Sequence, residues 1–120
     1  ISLNIGKTEV VVFKSTKKVL KSSIEIKLNG KRIYETPCVK YLGVKIDQSL
    51  SWKPQIDDVA IKLNKANAML SKIRYFVCPT ILKNIYSSIF ESHLNYCNIV
   101  WAQDVNSIKI KRLFILQKRP

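Results

Sequence analysis

Tyr41-Leu42-Gly43-Val44-Lys45-Ile46-Asp47 is the stretch at which this chain changes character. Leu42, Val44 and Ile46 alternate with other residues, the period-two pattern of a strand with one buried face, and they predict a strand over 39–46. Gly43 falls inside that strand. A glycine there weakens the ladder and offers no side chain to pack, so it marks a bulge or a close approach of another backbone or a ligand, the bulge being the commoner case. Residues before this stretch read as short strands joined by turns, and residues after it read as helices.

Working upstream, Asn29-Gly30 separates the alternating Ile24-Glu25-Ile26-Lys27-Leu28 from Lys31-Arg32-Ile33-Tyr34. Asn-Gly is a strong two-residue hairpin signal because both positions tolerate positive φ. Val10-Val11-Val12-Phe13 is a continuous β-branched and aromatic run, which predicts a strand over 9–13 covered on both faces, entered through a turn at Gly6-Lys7-Thr8. Between them, 14–23 is basic and hydroxylated, with Lys14, Lys17, Lys18 and Lys21, and reads as a surface loop.

Working downstream, Ser51 is a cap candidate and Pro54 falls in a first helical turn, where its missing N–H costs little. The helix predicted over 53–76 places Ile56, Val59, Leu63, Ala66, Leu70 and Ile73 on one stripe. Asp57 and Asp58 are expected in its first turn, where the helix dipole favours them. Lys65 and Lys72 project from the far side and Lys62 flanks the stripe; spacing alone makes these a solvated face. A second helix over 80–96 carries Ile81, Leu82, Ile85, Tyr86, Ile89, Phe90 and Leu94, and its broad apolar surface predicts the most buried helix. A connector with Trp101 follows. Ser107 then caps a last helix with Ile108, Leu113, Phe114 and Leu116 inside and Lys109, Lys111, Arg112, Lys118 and Arg119 outside. The expected fold is α+β, with a short antiparallel β-rich part at 1–52 and a three-helix bundle at 53–120.

The charge balance narrows the function. Twenty-one Lys and Arg against eight Asp and Glu give a formal net charge of +13, an imbalance that self-repels unless an anionic partner absorbs it. Nucleic acid is the first candidate and an anionic membrane surface the second. No apolar run is long enough to cross a bilayer and no signal peptide opens the chain, so it reads as soluble and without a membrane partner. Cys38, Cys78 and Cys97 are widely spaced with no Cys-x-x-Cys pair, and fit reduced, half-buried thiols of an intracellular protein better than a disulfide framework or a zinc site. No nuclear or secretory address is present, which leaves the nucleus open. The chain starts at Ile1 without an initiator methionine, and the expectation is a fragment.

Catalytic chemistry finds no foothold. His93, the single histidine, lies in an apolar helical segment without an Asp or Cys at metal spacing, and reads as structural. No glycine-rich phosphate loop, nucleophile elbow or Cys–His pair occurs. A polymerase metal site needs clustered carboxylates that hold two ions about 4 Å apart. Asp57-Asp58 is the one adjacent pair, and its members point in different directions along a helix. Tyr34, Tyr41, Trp52, Tyr75 and Trp101 stand among lysines, where aromatics stack on bases but more often form core; Trp52 and Trp101 read as packing anchors.

Taken in order, Ile1-Ser2-Leu3-Asn4 through Lys7-Thr8, then Tyr41-Leu42-Gly43-Val44 through Asp47, Leu50 and Trp52, resemble the reverse transcriptases of non-LTR, LINE-type retrotransposons, jockey-like ones in particular. The similarity continues through Ile85-Tyr86, Ser88, His93-Leu94-Asn95-Tyr96-Cys97, Val100-Trp101, Leu113 and Leu116-Gln117-Lys118-Arg119, and so covers nearly the whole chain. In that family the first segment belongs to the palm near the nucleotide site, the Tyr-Leu-Gly segment is the primer grip, and the following helices form the thumb.

The resemblance therefore implies that Lys7 approaches the incoming nucleotide's phosphates and that Tyr41, Leu42 and Gly43 bring backbone against the primer strand, a role in which a missing Cβ has a reason. It implies that Lys62, Lys65, Lys72 and Arg74 touch the phosphate backbone of a primer–template duplex. It also implies magnesium for a full-length parent. The family's aromatic-Ala-Asp-Asp segment, whose aspartates hold that magnesium, does not occur in these 120 residues, nor do the fingers and most of the palm. Pro120 also stands where related sequences continue a basic helix. The expectation is a primer-grip and thumb piece of an RNA-directed DNA polymerase, unable to polymerise alone and without a cofactor of its own. Its partners would be the duplex and the missing palm and fingers. The rival expectations are a standalone basic nucleic-acid-binding module and a protein-interaction relic.

Overall fold

The chain reverses at Leu42-Gly43 rather than running through it. In a computed structural model, which describes residues 2–19, 24–103 and 108–118, β3 (Cys38–Tyr41) pairs antiparallel with β4 (Val44–Asp47), Cys38 opposite Asp47 and Tyr41 opposite Val44. Leu42 and Gly43 are the two-residue turn, at φ 48° and 83°. Right-twisted strands are joined best by turns with positive φ at both central positions. Gly43 takes one of them without steric cost, so it is a turn residue and not a bulge in the strand expected over 39–46. Upstream, β1 (Ile26–Leu28) and β2 (Lys31–Ile33) form the hairpin expected at Asn29-Gly30, whose φ values are 50° and 77°.

The strand expected over 9–13 does not form. Val10 makes one isolated parallel bridge with Glu35, Thr36 donates its N–H to the Val10 carbonyl at 2.8 Å, and Phe13 is exposed. A high β propensity needs a partner strand with consecutive free groups, and here the neighbouring chain supplies single bonds: Lys14 N–H to the Gln48 carbonyl (3.1 Å) and Gln48 N–H to the Pro37 carbonyl (3.1 Å). A single 3₁₀ turn, Ile5–Lys7, precedes this segment.

The chain divides into two compact units, Ile1–Pro54 and Gln55–Pro120. Among the described residues of the first, Val44 is the one buried apolar side chain. The second has a core of its own. It is built on α1 (Lys53–Ile73), whose Ile56, Val59, Ala60, Leu63, Ala66 and Leu70 are all buried on one stripe. The fold is α+β, with an N-terminal β part and a C-terminal helical bundle.

Four details of the helices depart from expectation. The helix expected over 80–96 is a rod of α2 (Pro79–Tyr86), a π turn (Ser87–Glu91) and α3 (Ser92–Asn95). Phe90 is its one fully buried side chain while Ile81 is half exposed, so α1 and not this rod dominates the core. The connector contains α4 (Asn98–Trp101), entered through Cys97 at φ 51° and ending on a buried Trp101. Trp101 donates its indole N–H to the Tyr96 carbonyl at 3.0 Å and is the packing anchor expected; Trp52 is half-buried. In α5 (Ile108–Gln117), Ile110, Leu113 and Leu116 face the core, and the expected inward residues Ile108 and Phe114 are exposed, because at about 100° per residue both fall off the stripe that those three form. The cap expected at Ser107 lies outside the described residues, as do Lys21 and Arg119.

Candidate nucleic-acid interface

Asp47, the last residue of β4, builds the entry to α1. Its Oδ2 accepts the hydroxyls of Ser49 and Ser51, both at 2.8 Å, and the Ser51 N–H at 3.2 Å, while Oδ1 accepts the Trp52 N–H at 3.1 Å. Burial pushes this carboxyl up, but the two hydroxyl and two amide hydrogen bonds outweigh it and hold the group below the usual carboxylate range. Ser51 caps α1 only partly: its Oγ accepts the Lys53 N–H at 3.4 Å. Because the helix starts at Lys53, Asp57 and Asp58 sit in its second turn, not the first. There they form ion pairs instead of complementing the dipole, Asp57 with Arg112 at 3.8 Å and Asp58 with Lys62 at 3.0 Å.

The hairpin β3–β4 presents Tyr41, Leu42 and Gly43 together at its tip, all three exposed, with Leu42 73 % accessible. Lys7 is exposed at the end of the 3₁₀ turn. On α1, Lys65 and Lys72 share the face opposite the core stripe, two turns and roughly 10 Å apart along the axis. Both are exposed, and neither belongs to the ion pairs among the described residues. Lys62 is half exposed and engaged by Asp58. Arg74 lies beyond the end of α1, where its guanidinium sits 4.6 Å over the Tyr75 ring and donates to the Tyr75 hydroxyl. The primer-grip candidates and the helix cations belong to different units.

No protein-family model, curated protein or solved structure matches this chain.

For magnesium, the donor set does not fit: Asp57 and Asp58 pair with cations, and among the described residues no group of three or more His, Cys, Asp and Glu is gathered. His93 is exposed on α3. Cys38 and Cys97 are half-buried free thiols, whereas Cys78 is exposed, because it stands in the turn before Pro79. No helix among the described residues is long and apolar enough to cross a membrane.

Sequence reasoning missed Asp47 as an organiser. The signal was present in Asp47 followed by hydroxyls at Ser49 and Ser51, the spacing at which a carboxylate caps the turn that follows it. It also missed the cavity that Leu70, Arg74, Leu82, Lys83 and Tyr86 line, for which no local pattern exists.

Proposed function

We propose that this chain contributes primer-grip and thumb contacts to a primer–template duplex as part of a LINE-type reverse transcriptase, an RNA-directed DNA polymerase whose catalytic aspartates lie elsewhere. The observation that carries the reading is the exposed face of α1, where Lys65 and Lys72 stand without carboxylate partners among the described residues in a chain of net charge +13. Two cations on one rigid helix match phosphates spaced along a backbone and read no sequence. The hairpin tip supports the same reading, since Leu42-Gly43 offers exposed backbone at positive φ for a close approach to the primer strand.

The palm and fingers are the protein partners this reading requires. In their favour, the first unit leaves Leu3, Phe13, Val19 and Ile24 exposed and buries among its described residues the single apolar Val44. The second reading, a standalone basic nucleic-acid-binding module, is favoured by the separate core of the helical unit, from Ile56 to Leu116.

The test is the salt dependence of duplex binding, measured by fluorescence anisotropy with an RNA–DNA hybrid. Affinity should fall linearly on a log–log plot and discriminate little between sequences. Replacing Lys65 and Lys72 by Ala should lower the slope by about one for each lysine. Affinity indifferent to salt, or a slope unmoved by the double substitution, removes the thumb assignment.

A further inference from the structure

Between the C-terminal end of α1 and the start of α2 lies a cavity of about 360 Å³, within the range of roughly 300–1,000 Å³ usual for ligand pockets. Leu70, Pro79, Leu82 and Tyr86 supply its apolar surface, Arg74 and Lys83 its charge, and no carboxylate among the described residues lines it. Neither cation belongs to the ion pairs among the described residues. One wall is preset. Tyr86 stacks on the fully buried Phe90 with ring centroids 5.0 Å apart and planes 15° from parallel, and Arg74 is held over the Tyr75 ring. The pocket thus offers a fixed aromatic edge, aliphatic walls and two cations without a carboxylate partner among the described residues, a combination that suits a flat apolar group carrying an anion.

We propose that this cavity is a nucleotide pocket that takes one unpaired base of a bound strand, with the adjoining phosphate between Arg74 and Lys83. The inference rests on the nucleic-acid reading above and adds a strand preference to it. A base paired within a duplex must be unstacked before it can enter, whereas a base in a single-stranded overhang is free to do so. Base stacking on protein side chains tolerates any sequence, so the preference is for unpaired structure and not for a particular base.

The experiment compares the full chain binding a blunt hybrid duplex and the same duplex with a short single-stranded overhang carrying 2-aminopurine. The overhang should bind about tenfold more tightly, with a change in 2-aminopurine fluorescence. Leu82→Trp, which fills the cavity, should abolish that ratio and leave blunt-duplex affinity unchanged. Lys83→Glu, on the exposed face of α2, should also bring the ratio to one, and it carries the test if Leu82→Trp does not fold. Equal affinity of the parent chain for both substrates overturns the pocket while sparing the duplex reading. Failure to bind either substrate at low salt overturns the duplex reading itself. Binding of an acidic, apolar peptide that Leu82→Trp blocks, with no overhang preference, would assign the cavity to a protein segment and overturn the proposal.

Discussion

The Asp47 carboxylate accepts the Trp52 backbone N–H at 3.1 Å, so the last residue of the second hairpin fixes the residue from which α1 departs. With the hydroxyls of Ser49 and Ser51 on the other oxygen, this side chain replaces the backbone partners that a loop with Leu50 and Trp52 at positive φ cannot supply.

Replacing Asp47 by Ala should cost about 2–3 kcal/mol, because it leaves the Ser51 and Trp52 amides without their acceptor and removes a charge-assisted network. The urea midpoint against the parent chain is the readout. A loss under about 0.5 kcal/mol would mean the loop holds its shape without the carboxylate.

The same group predicts an acid-sensitive stability. Its folded pKa is lowered, so the contribution is fully present above the unfolded value of about 3.9 and is lost as pH falls through the folded value. Urea midpoints taken from neutral pH downward should fall less in Asp47→Asn than in the parent. Parallel acid limbs would refute this.

At the hairpin tip, Leu42 holds φ 48° without the excuse of being glycine. Leu42→Asn should raise stability by about 0.5–1 kcal/mol, since Asn tolerates the left-handed region, and Gly43→Ala should lower it by about 1 kcal/mol. Thermal melts of the two variants decide it, and shifts of the same sign would contradict the turn geometry. If the tip also grips a primer through its backbone, Leu42→Asn should leave duplex binding unchanged, whereas Gly43→Ala, which adds a Cβ at the point of approach, should weaken it.

Asn67 on α1 donates its side-chain amide to the Leu116 carbonyl at 3.0 Å, which satisfies one of the orphan acceptors at the end of α5. Its own Oδ1 is buried without a partner among the described residues. Asn67→Ala should therefore cost about 1 kcal/mol and speed amide hydrogen exchange in α5 before it does so in α1. Uniform loss of protection across both helices would show that the contact is not what anchors α5.

Core position should separate sharply from surface position on these helices. Leu63 is fully buried and Leu63→Ala should cost about 2–5 kcal/mol, whereas Phe114→Ala, at a side chain already 46 % exposed, should cost about 1–1.5 kcal/mol despite removing the larger side chain. Comparable losses at the two sites, read by chemical denaturation, would overturn the facing of α5.

Much of the local structure was legible. Asn29-Gly30 announced its hairpin because the turn needs only what those two residues supply. The stripe from Ile56 to Leu70 announced α1, since 21 residues repeat the same period many times. Leu42-Gly43 was harder to read: apolar alternation on either side of a two-residue turn keeps the same parity, so one longer strand and two short ones look alike. The engagement of the candidate cations was not visible in the sequence. Lys62 is tied to Asp58, which spacing permits, and Arg74 to Tyr75, which spacing does not announce.

By itself, then, the sequence determined the α+β order, the Asn29-Gly30 turn, the buried stripe of α1 and the surplus positive charge, all properties set within a few residues or by simple sums. Tertiary structure decided which apolar residues of the later helices are covered, that Phe90 is inside while Ile108 and Phe114 are not, and that Arg74 and Lys83 share a cavity. Burial depends on partners distant in the chain, and residues equally apolar within one helix differ only in what stands opposite them.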